Sequence, residues 1–537
     1  MTDMTRKILS ILLAITMVIG CAPLLSIHPK AATPTSGQCG DNITWTLNRS
    51  GTLTITGTGK MYDWSVDWDD ELCDIVCNTP WYAVRDSITQ VNISNGITDI
   101  GNASFYNCTN LVSVNLPTTI RNIGDEAFSS CESLKNVILP DALTRIGCDA
   151  FFGCLSLTSI SIPNNVTTIG DEAFATCENL RHISLPNSVT TIGSSSFGDC
   201  YSLENINIPD SVTSIGHHAF IGCSSLTRVT IPKSINCIDE STFCMCASLT
   251  DLIISQGVTT ICDSAFSGCT SLINVIMPDS VTSIGYSVFS GCSKLASISI
   301  SNSVHDIGGS AFENCENLDN VVIPDGVSII RDRTFEGCTN LKNIDIPDSV
   351  THIQESAFQE CKNLYHITIP SKVSDITPTA FLACFNLNSV YFEGNAPCIS
   401  NYPYYMSTSE TVFPQNTTLY YIPGKSGWTT PLWNGYHTAP WDGNKDAAPT
   451  IALTETDDNY AISVELPEYS KSVQVFFTLY DANDKMLACG QETLEEGAVK
   501  TFEASLKKKY NADHVKIMTV DSKTTKPLSF SQILYLK

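Results

Sequence analysis

Basic residues are scarce in this chain. Lys and Arg total 30 against 55 Asp and Glu, a formal net charge of −25 over 537 residues. Nucleic acids and anionic membrane surfaces are bound through Lys/Arg patches, so neither is expected as the main partner. Long apolar runs are also lacking. Beyond the N-terminal leader no stretch reaches the 18 or so residues needed to cross a bilayer, so no transmembrane segment is expected. The motifs of common chemistries are missing: there is no P-loop, no G-x-G-x-x-G after a strand, no H-E-x-x-H and no G-x-S-x-G. No paired carboxylates stand out as the acid and base of a glycosidase. The chain is therefore read as a non-enzyme without a cofactor or metal.

The leader has a short basic region, Arg6 and Lys7, followed by mostly apolar residues 8–25 and the small residues Ala31 and Ala32. That order is a secretory signal, here placed at residues 1–31. A second processing route stays open, because Val18-Ile19-Gly20-Cys21 is similar to a bacterial lipobox, in which Cys21 is lipidated. The expected location is secreted or cell-surface.

Cysteine is abundant, with 23 in the chain. Thirteen of them recur every 23 residues from Cys108 to Cys384. A Phe stands three residues before each one, from Phe105 to Phe381, and a Leu three after, from Leu111 to Leu387. A fixed period of this size is the signature of a stacked array. Stacked coils bring equivalent residues about 4.8 Å apart, a separation that permits a disulfide. An odd number of equivalent sites cannot all pair, and an identical environment at each coil suits a small buried hydrophobe. Free buried thiols are expected, which suggests a reducing or anaerobic habitat.

The unit reads V-T-x-I-G-x-x-A-F-x-x-C-x-x-L-x-x-V-x-I-P-x-x, as in the copy from Val212 through Ile215, Phe220, Cys223, Leu226, Val229 and Ile231 to Pro232. The alternating, β-branched L-x-x-V-x-I predicts a short strand, which proline ends. V-T-x-I-G predicts a second extended piece, and A-F-x-x-C a tight, one-turn helical return. Each coil leaves apolar edges that only stacking buries. The fold class is thus a β-rich solenoid of 23-residue coils with caps, plus a small C-terminal β-sandwich-like domain. The boundaries expected are an N-terminal β cap at 37–96, a solenoid of 13 copies at 97–392, a C-terminal cap and linker at 393–446, and the β-domain at 450–537.

The repeat resembles the treponemal-type, or BspA-like, leucine-rich repeat of bacterial surface proteins, on Val212-Thr-Ser-Ile-Gly, Ala219-Phe220, Cys223, Leu226, Val229 and Ile231-Pro232. Cys39-Gly-Asp-Asn-Ile-Thr-Trp-Thr-Leu47 is similar to the leader segment of such proteins. Asp513-His-Val-Lys-Ile-Met518 is similar to an accessory β-domain of clostridial surface proteins. The resemblance implies a secreted or wall-associated adhesin whose partner is an extracellular protein or glycan. It supplies no catalytic residues, and the sortase-type tail or wall-binding repeats that would anchor such a protein are not found in the sequence.

Function is expected on the strand, where Val and Ile point inward and the residues before each point out. Those outward pairs run from Ser113/Asn115 and Asn136/Ile138 to Ser389/Tyr391, and most are small and polar. Ile253 and Ile276 break the uniformity, with Arg228 and Asp251 beside them and Asn274 and Val322 on the same face. An exposed apolar pair flanked by charge is a candidate ligand-binding patch, although scattered surface isoleucines are also ordinary. Other readings carry less. Asp63, Asp67, Asp69, Asp70, Glu71 and Asp74 form an acidic cluster without known calcium spacing. Cys73-x-x-x-Cys77 lacks zinc partners. Cys237 and Cys262 fall in neighbouring coils, 25 residues apart, and could bridge. Trp428, Trp433 and Trp441 could stack on sugar, which keeps a glycan-binding accessory role open beside a self-associating wall or matrix role.

Overall fold

The computed structural model describes residues 35–69, 74–399 and 412–441, Gly443, and the backbone of seven strands between Thr450 and Tyr535. Cys21 and the leader, Cys73, Asp70, Glu71 and most of the 442–449 linker lie outside the described residues.

The L-x-x-V-x-I segments form strands that pair in parallel with the equivalent segment of the next coil, and the register never slips. Ser159–Ser161 lies against His182–Ser184, and Arg228–Ile231 against Asp251–Ile254. The V-T-x-I segments build a second parallel ladder, as in Thr168↔Thr191 and Ile169↔Ile192. Val and Ile of both strands face inward and are buried, while their neighbours face out, which is the period-two alternation a half-buried strand needs.

The A-F-x-x-C return is not the helical turn the sequence predicts. It is a third ladder. The Phe151 amide donates to the Ala173 carbonyl at 2.8 Å and the Gly153 amide to Ala175 at 2.9 Å, both in the next coil. Between them run short local bonds, such as the Cys154 amide to the Phe151 carbonyl at 3.2 Å. Two left-handed residues per coil cause this, here Asp149 at φ 52° and Gly153 at φ 65°. Each reverses the local twist, so that alternate amides point along the stack axis and no helix propagates. Among the described residues the one helix is a short 3-10 turn, Tyr82–Ser87.

Inside the stack the Phe rings lie nearly face to face at centroid separations of 5.1 to 5.8 Å. Every ladder cysteine is buried. From Cys131 to Cys384, each thiol donates to the carbonyl of the preceding coil's Phe, as Cys200 does to Phe174 at 3.2 Å. That bond gives cysteine a role no plain hydrocarbon could fill. No disulfide joins the described cysteines. Burial pushes the ladder thiols from Cys108 to Cys361 up, Cys177 to about 12, so these thiols are chemically quiet.

The stack extends past the residues that keep the strict period. Trp81 stacks on Phe105 at 5.8 Å, and Gln90–Ile93 pairs in parallel with Ser113–Asn115. Ahead of it, the antiparallel strands Ser36–Gly40, Ile43–Leu47 and Thr52–Gly57 close the sheet end. At the other end Phe413 continues the ring column, 5.1 Å from Phe381. Thr418–Tyr421 pairs with Ser389–Phe392, and Tyr436–Pro440 follows. The C-terminal segment carries seven antiparallel strands, in one sheet of three and one of four.

Candidate binding face

The outward residues of the L-x-x-V-x-I ladder line one continuous face. Its floor is small and polar: Ser159, Ser161, His182 and Ser184 are all exposed, and Ser297 Oγ donates to Asn274 Oδ1 at 2.7 Å. Four apolar side chains project from it. Ile138 is 86% exposed, Ile276 75%, Val322 64% and Ile253 49%. Arg228 and Asp251 do not stand as separate charges. Arg228 Nη2 lies 2.7 Å from Asp251 Oδ2, so the pair is neutral as a unit and leaves the neighbouring apolar atoms as the distinctive feature. Among the residues whose burial is described, which leaves out Asn320, the expected outward pairs hold along the array except at its end. Ser389 is buried and Tyr391 half-buried, because Tyr420 stacks on Tyr391 at 4.9 Å and Trp441 packs beside it.

Ile138 is the most exposed apolar residue of the described array, and it borders a groove of about 810 Å³. Asn136, Asp141, Ser159, Ser161 and His182 line the same groove. The sequence places Ile138 outward but gives it no apolar neighbour, so nothing marks it as part of a patch. The relevant signal is the run of serines on the next coils, which leaves open space beside it.

The remaining candidates are accounted for by packing. Trp433 and Trp441 are buried, and the Trp428 and Trp441 indole nitrogens donate to the Gly394 and Phe392 carbonyls at 3.2 Å each. They seal the stack's end and do not form an open sugar platform. Of the acidic cluster, Asp63 accepts the Asn102 amide at 3.0 Å and Asp67 accepts the Ser65 hydroxyl at 2.7 Å. Among the described residues no group of three or more His, Cys, Asp or Glu is placed to hold a metal ion. Nor is any helix there long and apolar enough to cross a membrane. One carboxyl is strongly perturbed: burial, with Glu172, Glu126, Asp125 and Asp171 nearby, raises Asp149 to about 7. It sits on the turn side, at a left-handed position of a stripe with Glu126 and Glu172 one coil away on either side.

Three overlapping segments, 81–204, 190–319 and 305–423, match the model of the BspA type leucine rich repeat region, in six copies. Among solved structures the chain is similar to a leucine-rich repeat protein from Bacteroides ovatus. They are 29% identical over 71% of this chain and 98% of that one, with a TM-score of 0.49. It is similar also to a leucine-rich repeat protein from Eubacterium ventriosum, at 27% identity over 70% and 98%, TM-score 0.46. A leucine rich cell surface protein from Faecalibacterium prausnitzii is 27% identical over 67% and 96%, TM-score 0.38. No curated protein matches the sequence. The matched segments together run from residue 81 to 423 of 537, and the Phe, Cys and Leu columns inside them are the repeat's own core, so this chain belongs to the BspA-type leucine-rich repeat family.

Proposed function

We propose that this is a secreted or cell-surface binding protein, an adhesin that holds an extracellular protein or glycan on the strand face of its array. The supporting observation is the composition of that face: a long floor of small polar residues from which Ile138, Ile253, Ile276 and Val322 project. Thirteen coils at about 4.8 Å give a surface on the order of 60 Å long, enough for a protein or an extended glycan. Ile253 and Ile276 with Val322 form the anchor, and the paired Arg228 and Asp251, with Asn274, form its polar rim. The apolar leader supports export, by cleavage near Ala31 or by lipidation at Cys21. The C-terminal β-sandwich serves as a spacer or a second binding unit.

The test is binding of the full chain to immobilised matrix proteins and a glycan array, compared with an Ile253→Asp/Ile276→Asp double variant. Both side chains are exposed, so the fold should survive. A central apolar anchor is worth 2 kcal/mol or more, so affinity should fall at least about tenfold. Unchanged affinity in the double variant rejects this patch as the anchor.

A further inference from the structure

The second ladder, built from the V-T-x-I-G segments, contains an irregularity on which neither the family nor the strand face bears. The residue after its inward Ile is glycine in six successive coils: Gly101, Gly124, Gly147, Gly170, Gly193 and Gly216. The reason is close approach. A Cβ on Gly170 would lie 2.5 Å from the Gly147 backbone, and one on Gly308 would lie 2.4 Å from that of Gly285. Asp239 and Cys262 then occupy this column in consecutive coils. The ladder breaks where a side chain first follows glycine in this column, at Asp239 after Gly216 and again at Arg331 after Gly308, although it runs on through Cys262. The ladder that runs without a break to Ser214–Ile215 stops, and a new one starts at Cys237–Ile238. A cavity of about 470 Å³ opens beside the new ladder, lined by Asp239, Cys262, Tyr286, Asp306 and Arg331 among others.

At this interruption two sulfurs meet. The pairing Cys237↔Thr260 and Ile238↔Ile261 places Cys262 just past the strand end of the next coil. Its Sγ lies 3.0 Å from the Sγ of Cys237. A disulfide bond is about 2.05 Å long, so about 1 Å of sulfur travel separates contact from bond. Both residues are partly exposed, whereas the ladder cysteines are sealed inside the stack and donate to Phe carbonyls. Cys148 has Asp125 and Asp171 at its own position in the adjacent coils.

We propose that Cys237 and Cys262 are a redox-active dithiol, a modification site that reacts with small disulfides to form a covalent staple between two coils at the wall of the cavity. The Cys237 thiolate attacks one sulfur of the oxidant. The oxidant's S–S bond breaks, one thiol leaves with the proton, and a mixed disulfide remains on Cys237. Cys262 then attacks the Cys237 sulfur, its proton passing to the second departing thiol. The net change is one dithiol and one disulfide converted to one protein disulfide and two thiols, with two electrons moved to the oxidant. Burial first, and then Cys237 and the carboxylates of Asp239 and Asp263, push the Cys262 thiol up to about 12. The two sulfurs face each other and are both partly exposed, so either can take the first step and the product is the same.

The experiment uses the folded full chain equilibrated with oxidised glutathione, then alkylated and digested without reductant at the acidic residues Asp239, Glu240 and Asp251, which separate the two cysteines. A Cys237–Cys262 linked peptide, reversed by a dithiol reductant, is the expected product. Cys262→Ser should instead trap glutathione on Cys237, and Cys237→Ser should trap it on Cys262. Native chain that stays folded and yields no linked peptide overturns the proposal. So does a linked peptide that pairs either residue with a ladder cysteine at equal yield.

Discussion

Cys200→Ala and Cys200→Val separate two explanations of the cysteine column, a donor and a filler. Cys200 is fully buried, and its thiol donates to the Phe174 carbonyl at 3.2 Å. That carbonyl also accepts the Cys177 amide at 3.2 Å, so losing the thiol removes one of two bonds and does not strand the oxygen. The loss is then a net hydrogen bond, about 0.5–1 kcal/mol. Alanine also removes a buried sulfur, comparable to a methylene at about 0.8 kcal/mol. Cys200→Ala should therefore destabilise its coil by about 1–2 kcal/mol, and Cys200→Val, which restores volume without a donor, by about 1 kcal/mol. Global unfolding of an array blends many coils, because each contacts only its neighbours. The assay is therefore native-state amide exchange, read at Phe197, bonded to the Ala219 carbonyl, and at Cys200, bonded to Phe197. A valine variant whose amides exchange at the wild-type rate would refute the donor role and leave cysteine as a filler.

Phe243→Ala removes a buried ring with neighbours at 5.2 and 5.6 Å, so local stability should fall by about 3–5 kcal/mol and proteolysis should cut there; Phe385→Ala, 67% exposed, should be silent. Met245 holds φ 60° where five other coils have glycine, among them Gly222 and Gly268. Met245→Gly relieves left-handed strain of about 1–2 kcal/mol and adds up to about 1 kcal/mol of chain entropy cost, so a small gain of about 0.5 kcal/mol in denaturant titration is expected. Asp149 has a folded pKa of about 7, above its ordinary value, so it holds its proton more tightly folded than unfolded. Its contribution is intact below about pH 4 and is lost as pH rises towards 7. Asp149→Asn should thus raise the melting temperature at pH 8 and do little at pH 4; a gain independent of pH would contradict this.

The core columns were legible because Phe, Cys, Leu, Val and Ile recur at one spacing, and that spacing sets every ladder register. The turn was misread because A-F-x-x-C has helix-like spacing, while its backbone depends on left-handed φ at residues as unlike as Glu126, His218 and Arg333. No single residue type marks those positions. The end coils were missed for a different reason. Phe413 follows Phe381 by 32 residues, not 23, so the periodic match ends although the ring column continues. Leu419-Tyr-Tyr-Ile-Pro423 still carries the strand-then-proline pattern there. On the binding face, outward positions could be assigned, but the Arg228–Asp251 pairing and the space beside Ile138 depend on how adjacent coils meet.

The thiol bond that always reaches back to the previous coil makes this protein countable. Cys223 reaches Phe197, and Cys200 reaches Phe174. Were residues 178–200 absent, Cys223 would find Phe174 where Phe197 had been, and each remaining strand would meet an equivalent partner. Lengths that differ by a whole coil are therefore interchangeable as folds, while any other change in length has to be taken up between the core positions, as the nine extra residues between Phe381 and Phe413 are. Surfaces of graded extent can arise from one unit by duplication or loss, with no new core to invent.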